Sequence, residues 1–297
     1  MAIETILKEN RLFEPKSAFK KQAHLSDPKQ YERIRAAAEK DPKAFWKAAA
    51  ENVFWDQKWK KVLDWKPPFA KWFVGGKLNA CVNVIDRHLG ERGDKPALIW
   101  EGENGDIQQF TFREVHKEVC RLSHVLEKDM GLRAGDTAAI YMPMVPEAVF
   151  AMLACARLGV THSVIFAGFA AQAIRDRVQD ANCKAVFTAD ISYRKGSKLP
   201  LLQTVEEAVS DCPSVRSVLV LRRDLDTSLK SERFLCWNQS LSDKPFDHTP
   251  DSFDAEHPLF LLYTSGTTGK PKGNIHSTGG NLTGEMTTAK AIYDLKE

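Results

Sequence analysis

Paired cysteines at zinc-site spacing, a membrane-length apolar run and an excess of one charge are all missing from this 297-residue sequence. Its six cysteines, at 81, 120, 155, 183, 212 and 236, stand far apart with no Cys-x-x-Cys pair, which removes the usual signal for a zinc site or a thioredoxin-like couple. They read as reduced thiols of a cytoplasmic protein, and no metal-ligating set is assigned. The 42 basic residues meet 39 acidic ones, a formal net charge of +3, so the concentrated positive field of a nucleic-acid binder is lacking. The first ten residues carry charges where a signal peptide needs an apolar core, and nothing later approaches bilayer-spanning length. Neither nucleic acid nor a membrane is an expected partner. Asn238-Gln-Ser240 and Asn281-Leu-Thr283 match the glycosylation pattern, but without secretion they are accidental. No Gly-x-Gly-x-x-Gly occurs, which argues against a dinucleotide-dependent oxidoreductase.

What is present is ordinary globular material, 43% hydrophobic and 27% charged, enough for one large or two modest domains. Residues 15–68 read as helical with no strand, and Asp41-Pro42 supplies a cap and first-turn proline for a helix over 43–53. Residues 54–73 interleave Trp55, Trp59, Trp65 and Trp72 with lysines. Such rings can stack on single-stranded bases, or they can pin a linker onto a larger domain while the lysines face water. The near-even charge balance favours the linker. Beyond Asp86, β-rich runs over 96–100, 108–112, 137–142, 161–166, 184–188, 217–221 and 258–263 alternate with amphipathic helices, one of which opens on the capping box Thr111-Phe-Arg-Glu114. That rhythm predicts an α/β fold, a largely parallel sheet with helices on both faces, preceded by a mainly helical N-terminal extension. The expected boundaries are 1–85 for the extension and 86–297 for the first part of a large domain. Residues 222–257 read as surface loop, and 258–263 as the last strand.

That strand runs into Tyr263-Thr-Ser-Gly-Thr-Thr-Gly-Lys-Pro-Lys-Gly273. Gly266, Gly269 and Gly273 allow positive φ and close approach of backbone N–H groups to an anion. Thr264, Ser265, Thr267 and Thr268 add hydroxyl donors. Lys270 and Lys272 add cations, each worth roughly 1.5 to 3 kcal/mol in a charged hydrogen bond shielded from water. The segment is not a Walker A loop, because Thr264 stands where glycine is required and proline follows Lys270. By composition alone a flexible Gly/Ser/Thr linker is an equal reading. Placement after a strand that closes a βα series favours a polyphosphate ligand.

The same segment resembles the signature of the adenylate-forming superfamily, which includes acyl-CoA synthetases, luciferases and peptide-synthetase adenylation domains. Its extension Gly273-Asn-Ile-His276-Ser-Thr-Gly-Gly280 is similar to the form in AMP-forming short-chain acyl-CoA synthetases, the acetate- and propionate-activating enzymes. So are Phe69-Ala-Lys-Trp-Phe-Val-Gly-Gly-Lys-Leu-Asn79, Asp86-Arg-His-Leu89, Tyr141-Met-Pro-Met-Val-Pro-Glu147 and His162-Ser-Val-Ile-Phe-Ala-Gly-Phe169. The resemblance spans nearly the whole chain.

The resemblance implies that acetate, or another short-chain carboxylate, attacks the α-phosphorus of ATP with Mg2+ assistance. CoA then displaces AMP from the acyl-adenylate. It places the outer ATP phosphates on Thr264, Ser265, Gly266, Thr267, Thr268, Gly269, Lys270 and Lys272. It places CoA contacts at Gly168 and at the turn Arg194-Lys195-Gly196-Ser197, where Ser197 departs from the arginine of many members and the adjacent Lys198 is a substitute cation. Arg194 reads equally as a solvated surface residue. No residue is assigned as catalytic, since a carboxylate is already ionised at neutral pH and needs no general base. His276 lies beside the loop in a packing, hydrogen-bonding or chemical role. The family continues with an acyl pocket, ribose contacts and a small C-terminal domain, so the chain is expected to be an N-terminal fragment that is inactive alone. A free-standing, non-catalytic nucleotide- or CoA-binding module is the alternative, which the reading frame beyond Glu297 would decide.

Overall fold

The computed structural model describes residues 12–224, 228–229, 231–264 and 271–296. They fall into two compact units, one made of the described parts of Met1–Asn52 and Thr283–Glu297, the other of Val53–Leu282. The first holds α1 (Ser17–Gln22), α2 (Pro28–Lys40) and α3 (Pro42–Ala50), of which α2 and α3 begin at an aspartate-proline start signal. Asp27 caps α2 by accepting from the Lys29 N–H, and Asp41 caps α3 by accepting from that of Ala44, each with proline at the first helical position. His24 joins the two chain segments of this unit, its backbone N–H donating to the Asp294 carboxylate at 2.8 Å.

The second unit opens on a hairpin, β1 (Lys61–Lys66) against β2 (Phe69–Val74), turning at Pro67-Pro68. The all-helical reading of 15–68 is therefore corrected: residues 61–66, which carry no two-residue apolar period of their own, take strand form by pairing antiparallel with β2. Trp55 and Trp59 close on the buried Phe73 with ring centroids 5.3 and 5.2 Å away. Next come β3 (Lys77–Leu78), α4 (Ala80–Val84), α5 (Leu89–Arg92) and the hairpin of β4 (Pro96–Glu101) and β5 (Ile107–Thr111). The capping box forms as expected at the start of α6 (Phe112–His124): Thr111 Oγ1 accepts from the Glu114 N–H while the Glu114 carboxylate accepts from the Thr111 N–H. A wider helical turn, Val125–Asp129, continues it.

Strands β6 (Thr137–Tyr141), β7 (Thr161–Val164) and β8 (Ala185–Ala189) follow, separated by α7 (Pro146–Leu158) and α8 (Ala171–Asp180). The short hairpin of β9 (Ile191–Arg194) and β10 (Ser197–Pro200) precedes α9 (Leu201–Val209), β11 (Ser217–Leu221), β12 (Phe234–Cys236), α10 (Trp237–Leu241) and β13 (Phe253–Asp254). Finally β14 (Pro258–Thr264) and β15 (Lys272–Ser277) lead into α11 (Thr278–Ala291). Seven strands form one sheet in the order β12-β11-β8-β6-β7-β14-β15, parallel except for the β14–β15 pair. Every side chain of β8 and β11 is buried, the continuous run expected of central parallel strands covered on both sides.

The direction in which strands are added reverses twice, after β7 and after β12. From β6 the chain steps to β7 on one side, then crosses back to β8 and β11 on the other. With right-handed crossovers, α7 covers one face and α8 and α9 the opposite face, in keeping with the contacts of α6 with α7 and of α8 with α9. A crevice outside the carboxyl ends of β6, β7 and β8 is the geometric result.

Two further readings are corrected. Residues 222–257 are not merely loop, because β12 extends the sheet and α10 buries Trp237 and Leu241 in the core. A few inward-facing side chains in a polar stretch were too sparse to show a period. Nor is β14 the last strand, since β15 pairs with it antiparallel. Lys-Gly-Asn-Ile-His-Ser has little strand character of its own and takes that form by completing the open ladder of β14. Among the described residues no helix is long and apolar enough to cross a membrane.

Candidate functional site

At the switch point a cavity of about 330 Å³ opens. Met142, Pro143 and Met144 after β6, the segment 164–167 after β7, and Ser192, Tyr193 and Arg194 after β8 all contribute to its wall. Trp100 and Glu103, from the β4–β5 hairpin, close another side. The Trp100 indole N–H donates to the Met144 carbonyl at 2.7 Å, and Glu103 accepts from the Gly196 N–H at 2.9 Å. The hairpin is thereby fastened to both the β6 and the β9–β10 sides of the cavity.

Gly168 and Arg194, 26 positions apart, meet here. Gly168 has φ of 110°, and a Cβ added to it would stand 3.4 Å from Nη1 of Arg194. Only glycine takes this backbone without strain and leaves the guanidinium its room. Tyr141, at the end of β6, holds the loop: its hydroxyl accepts from the Gly168 N–H and donates to the Phe169 carbonyl, both at 3.0 Å. Burial raises the phenol above its ordinary value, so it stays a neutral donor.

Arg194 sits at the tip of the β9–β10 hairpin, where Lys195 and Gly196 both have positive φ, 51° and 76°. Two successive left-handed residues are the requirement of a type I′ turn. Among the described residues the Arg194 guanidinium has no hydrogen-bond or ion-pair partner, and the side chain is exposed. Ser197 begins β10 and is exposed. The Lys198 ammonium lies 2.7 Å from the Asp224 carboxylate in a partly exposed ion pair.

Asp190, Tyr193 and Arg223 were not legible as site residues. Asp190, 2% exposed, follows β8 and accepts from the backbone N–H groups of Ile191, Arg223 and Asp224 at 2.7, 2.9 and 2.8 Å. It binds the start of the β9–β10 hairpin to the chain leaving β11. Arg223 lies over the Tyr193 ring, 5.0 Å from its centroid, and brings a second guanidinium to the cavity wall. The available signal was positional: all three lie just after predicted strand ends.

Because β14 runs parallel to β7, its carboxyl end faces the same edge of the sheet as the cavity. Ser265, Gly266, Thr267, Thr268, Gly269 and Lys270 lie outside the described residues. The two residues that frame them are described: Thr264 and Lys272 are partners in the β14–β15 register, and the Asn274 amide donates to Thr264 Oγ1 at 3.4 Å. Thr264 ends β14, the strand after which the loop was expected, and Lys272 begins its antiparallel partner β15. His276 stacks on Phe260, centroids 4.3 Å apart and planes within 16°, which gives it a packing role. His162 packs on the other side of the sheet register, 5.7 Å from Phe260, and burial pushes its imidazole down to about 4.

The sequence model of the AMP-binding enzyme family matches residues 85–296, and that of the acetyl-coenzyme A synthetase N-terminus matches residues 31–84. The chain is 46% identical to an acetyl-coenzyme A synthetase of Gemmatimonas aurantiaca, over 99% of this chain and 46% of that protein. It is 51% identical to one of Mycolicibacterium smegmatis over 89% of this chain and 28% of that protein. The one from Chlorobaculum tepidum is 45% identical over 100% of this chain and 45% of its own length. Among solved structures, an acetoacetyl-CoA synthetase from Streptomyces lividans superposes with a TM-score of 0.83 at 29% identity, covering 95% of this chain and 45% of that one. The chain spans less than half the length of these relatives.

Proposed function

The chain belongs to the AMP-binding enzyme family, and from that premise we propose that it is the nucleotide- and CoA-handling part of an AMP-forming ligase that activates acetate with ATP and passes the acetyl group to CoA. The observation that carries this reading is the convergence of Gly168, Arg194 and the cavity on the sheet edge that also bears the 264–272 loop. Mg2+ would arrive as part of the nucleotide substrate.

In the first half-reaction the carboxylate oxygen bonds to the α-phosphorus and pyrophosphate leaves. The nucleophile is ionised at neutral pH, so the protein must position the reactants and balance charge rather than move a proton. Backbone N–H groups at Gly266 and Gly269, the loop hydroxyls, Lys270 and Lys272 are suited to that task. In the second half-reaction the CoA thiol sulfur attacks the acyl carbon and AMP leaves. Arg194 and Arg223 offer cations to CoA phosphates, while Met144 and Phe166, both largely exposed at the cavity, offer apolar faces to its adenine. The domain division proposed with this reading is an N-terminal extension over 1–85 and the beginning of the adenylate-forming domain over 86–297.

Acetate-dependent exchange of pyrophosphate into ATP, measured on the protein encoded by the complete reading frame, tests the reading. Lys270→Ala removes charge and Gly266→Val blocks backbone approach, so both should cut exchange severely. Normal exchange in both variants would make the loop a linker and overturn the assignment.

A further inference from the structure

His124 ends α6, Glu127 lies three residues on in the wider turn, and His248 comes from the segment between α10 and β13. One ligating atom from each falls within 4.8 Å of the others, the only such trio of histidine, cysteine or acidic side chains among the described residues. The two imidazole rings lie 4.9 Å apart at 66°, and His248 Nε2 stands 3.8 Å from a Glu127 oxygen. None of the three lines the cavity described above.

Two independent features point to a ligand. His248 is 9% exposed at its side chain, neither of its ring nitrogens has a hydrogen-bond partner among the described residues, and Nε2 is the one turned toward the Glu127 carboxylate, 3.8 Å away. His124 Nε2 stands 2.8 Å from the Asp247 carbonyl. A carbonyl only accepts, so Nε2 carries the proton and Nδ1 holds the lone pair, as in histidines that ligate a metal while donating through their other nitrogen. The carboxyl end of α6 adds partial negative charge. The nearest opposing cations are already engaged: Arg157 on Asp86, and Lys128 on Glu127 itself in an exposed pair at 3.2 Å that contributes little.

We propose that His124, Glu127 and His248 form a binding site for a divalent transition-metal cation of the zinc class, tying the end of α6 to the segment that precedes β13. Two imidazoles and one carboxylate suit Zn2+, Co2+ or Ni2+ and are a poor set for Mg2+ or Ca2+, which take oxygen ligands. Tetrahedral bonds of roughly 2.0 to 2.1 Å put ligand atoms about 3.3 Å apart, so closure asks for an inward shift of about an ångström, within the reach of side-chain rotation. Lys128 is displaced to solvent in the process.

The test uses the complete protein, stripped with a chelator and titrated with Co2+ in the absence of ATP and CoA, so that it reads independently of the ligase assignment. One Co2+ per chain is expected, with the visible absorption of a four- or five-coordinate ion, no thiolate charge-transfer band, and displacement by Zn2+ but not by Mg2+. His124→Asn and Glu127→Gln, both on a partly exposed surface and expected to fold, should each weaken binding on the order of tenfold to a hundredfold. Saturating Zn2+ should raise the unfolding temperature of the parent protein but not of the His124→Asn, Glu127→Gln double variant. Equal binding in that folded double variant, a thiolate band, or no binding in the parent would overturn the proposal.

Discussion

A Cβ placed on Gly168 would stand 3.4 Å from Nη1 of Arg194, so the loop after β7 and the tip of the β9–β10 hairpin share one small volume. CoA enters only the second half-reaction, which separates the role of this pair from that of the 264–272 loop. Arg194→Ala should raise the CoA concentration needed for half-maximal rate by about ten- to a hundred-fold, the cost of roughly 1.5 to 3 kcal/mol for a lost charged hydrogen bond. Gly168→Ala should act in the same direction through backbone strain and displacement of the guanidinium. Both should leave CoA-free, acetate-dependent pyrophosphate exchange intact. Unchanged CoA dependence would return Arg194 to the solvated surface.

Asp190 is a positioning residue for the same turn. Asp190→Ala leaves three half-buried backbone N–H groups without their acceptor, and the hairpin loses its anchor to the chain after β11. CoA dependence should weaken while exchange is spared, with partial recovery in Asp190→Asn, which keeps one acceptor oxygen. Equal loss of both half-reactions would mean that the residue serves general stability instead.

Arg157, 1% exposed at its side chain, donates through one nitrogen to both Asp86 oxygens at 2.9 Å and through the other to the His248 carbonyl. Removing one member of a buried pair strands the other, so Arg157→Met should cost about 3–5 kcal/mol of unfolding free energy. Denaturant unfolding measures it, and a loss below about 1 kcal/mol would contradict the assigned role.

His116 stands 3.5 Å from the same Asp86, and the hydrogen bond to that carboxylate, with a second to the Cys120 sulfur, raises its imidazole to about 9. Burial alone would raise Asp86, but hydrogen bonds from His116 and the adjacent Arg157 charge outweigh it and hold the carboxyl below its ordinary value. A raised histidine stabilises fully below its unfolded value near 6.5 and loses that contribution as pH rises toward 9. The difference in unfolding temperature between the parent and His116→Gln should therefore be largest near pH 6 and shrink through pH 9. A difference that grows with pH would reverse the assignment.

His162 gives the opposite sign. Burial holds it at about 4, so the folded state keeps it neutral while the unfolded chain takes up a proton below about 6.5. Its contribution is complete above that value and is lost as pH falls toward 4. His162→Phe, should it fold, removes this acid-side slope, and His162→Gln provides the smaller alternative. Unaltered acid sensitivity in both would place the titration elsewhere.

The parallel sheet was legible because β8 and β11 are unbroken apolar runs and Thr111 with Glu114 announces a helix. Strand β15 was not, since Lys272–Ser277 becomes a strand only through its partner. The β1–β2 hairpin was hidden because Lys61–Lys66 has no two-residue apolar period and its lysines and tryptophans read as linker composition. At the site, Gly168 and Arg194 came from a family resemblance, but their meeting is a product of the strand order, in which β7 and β8 flank β6. Asp190 could not be found from residue type, because its chemistry is three backbone bonds that exist only once β9 and the chain after β11 are side by side.

The two left-handed residues at the hairpin tip impose a filter on mutagenesis there. Lys195→Ala keeps a Cβ at φ of 51°, as lysine does, and so removes the ammonium at nearly unchanged backbone cost, whereas Lys195→Asn and Lys195→Gly remove the charge and also relax the left-handed turn. A scan with glycine or asparagine alone across 194–197 would thus let a relaxed turn mask the loss of an ionic role at Lys195. Comparing alanine with asparagine at that one position separates the ammonium's contribution from the shape it rides on.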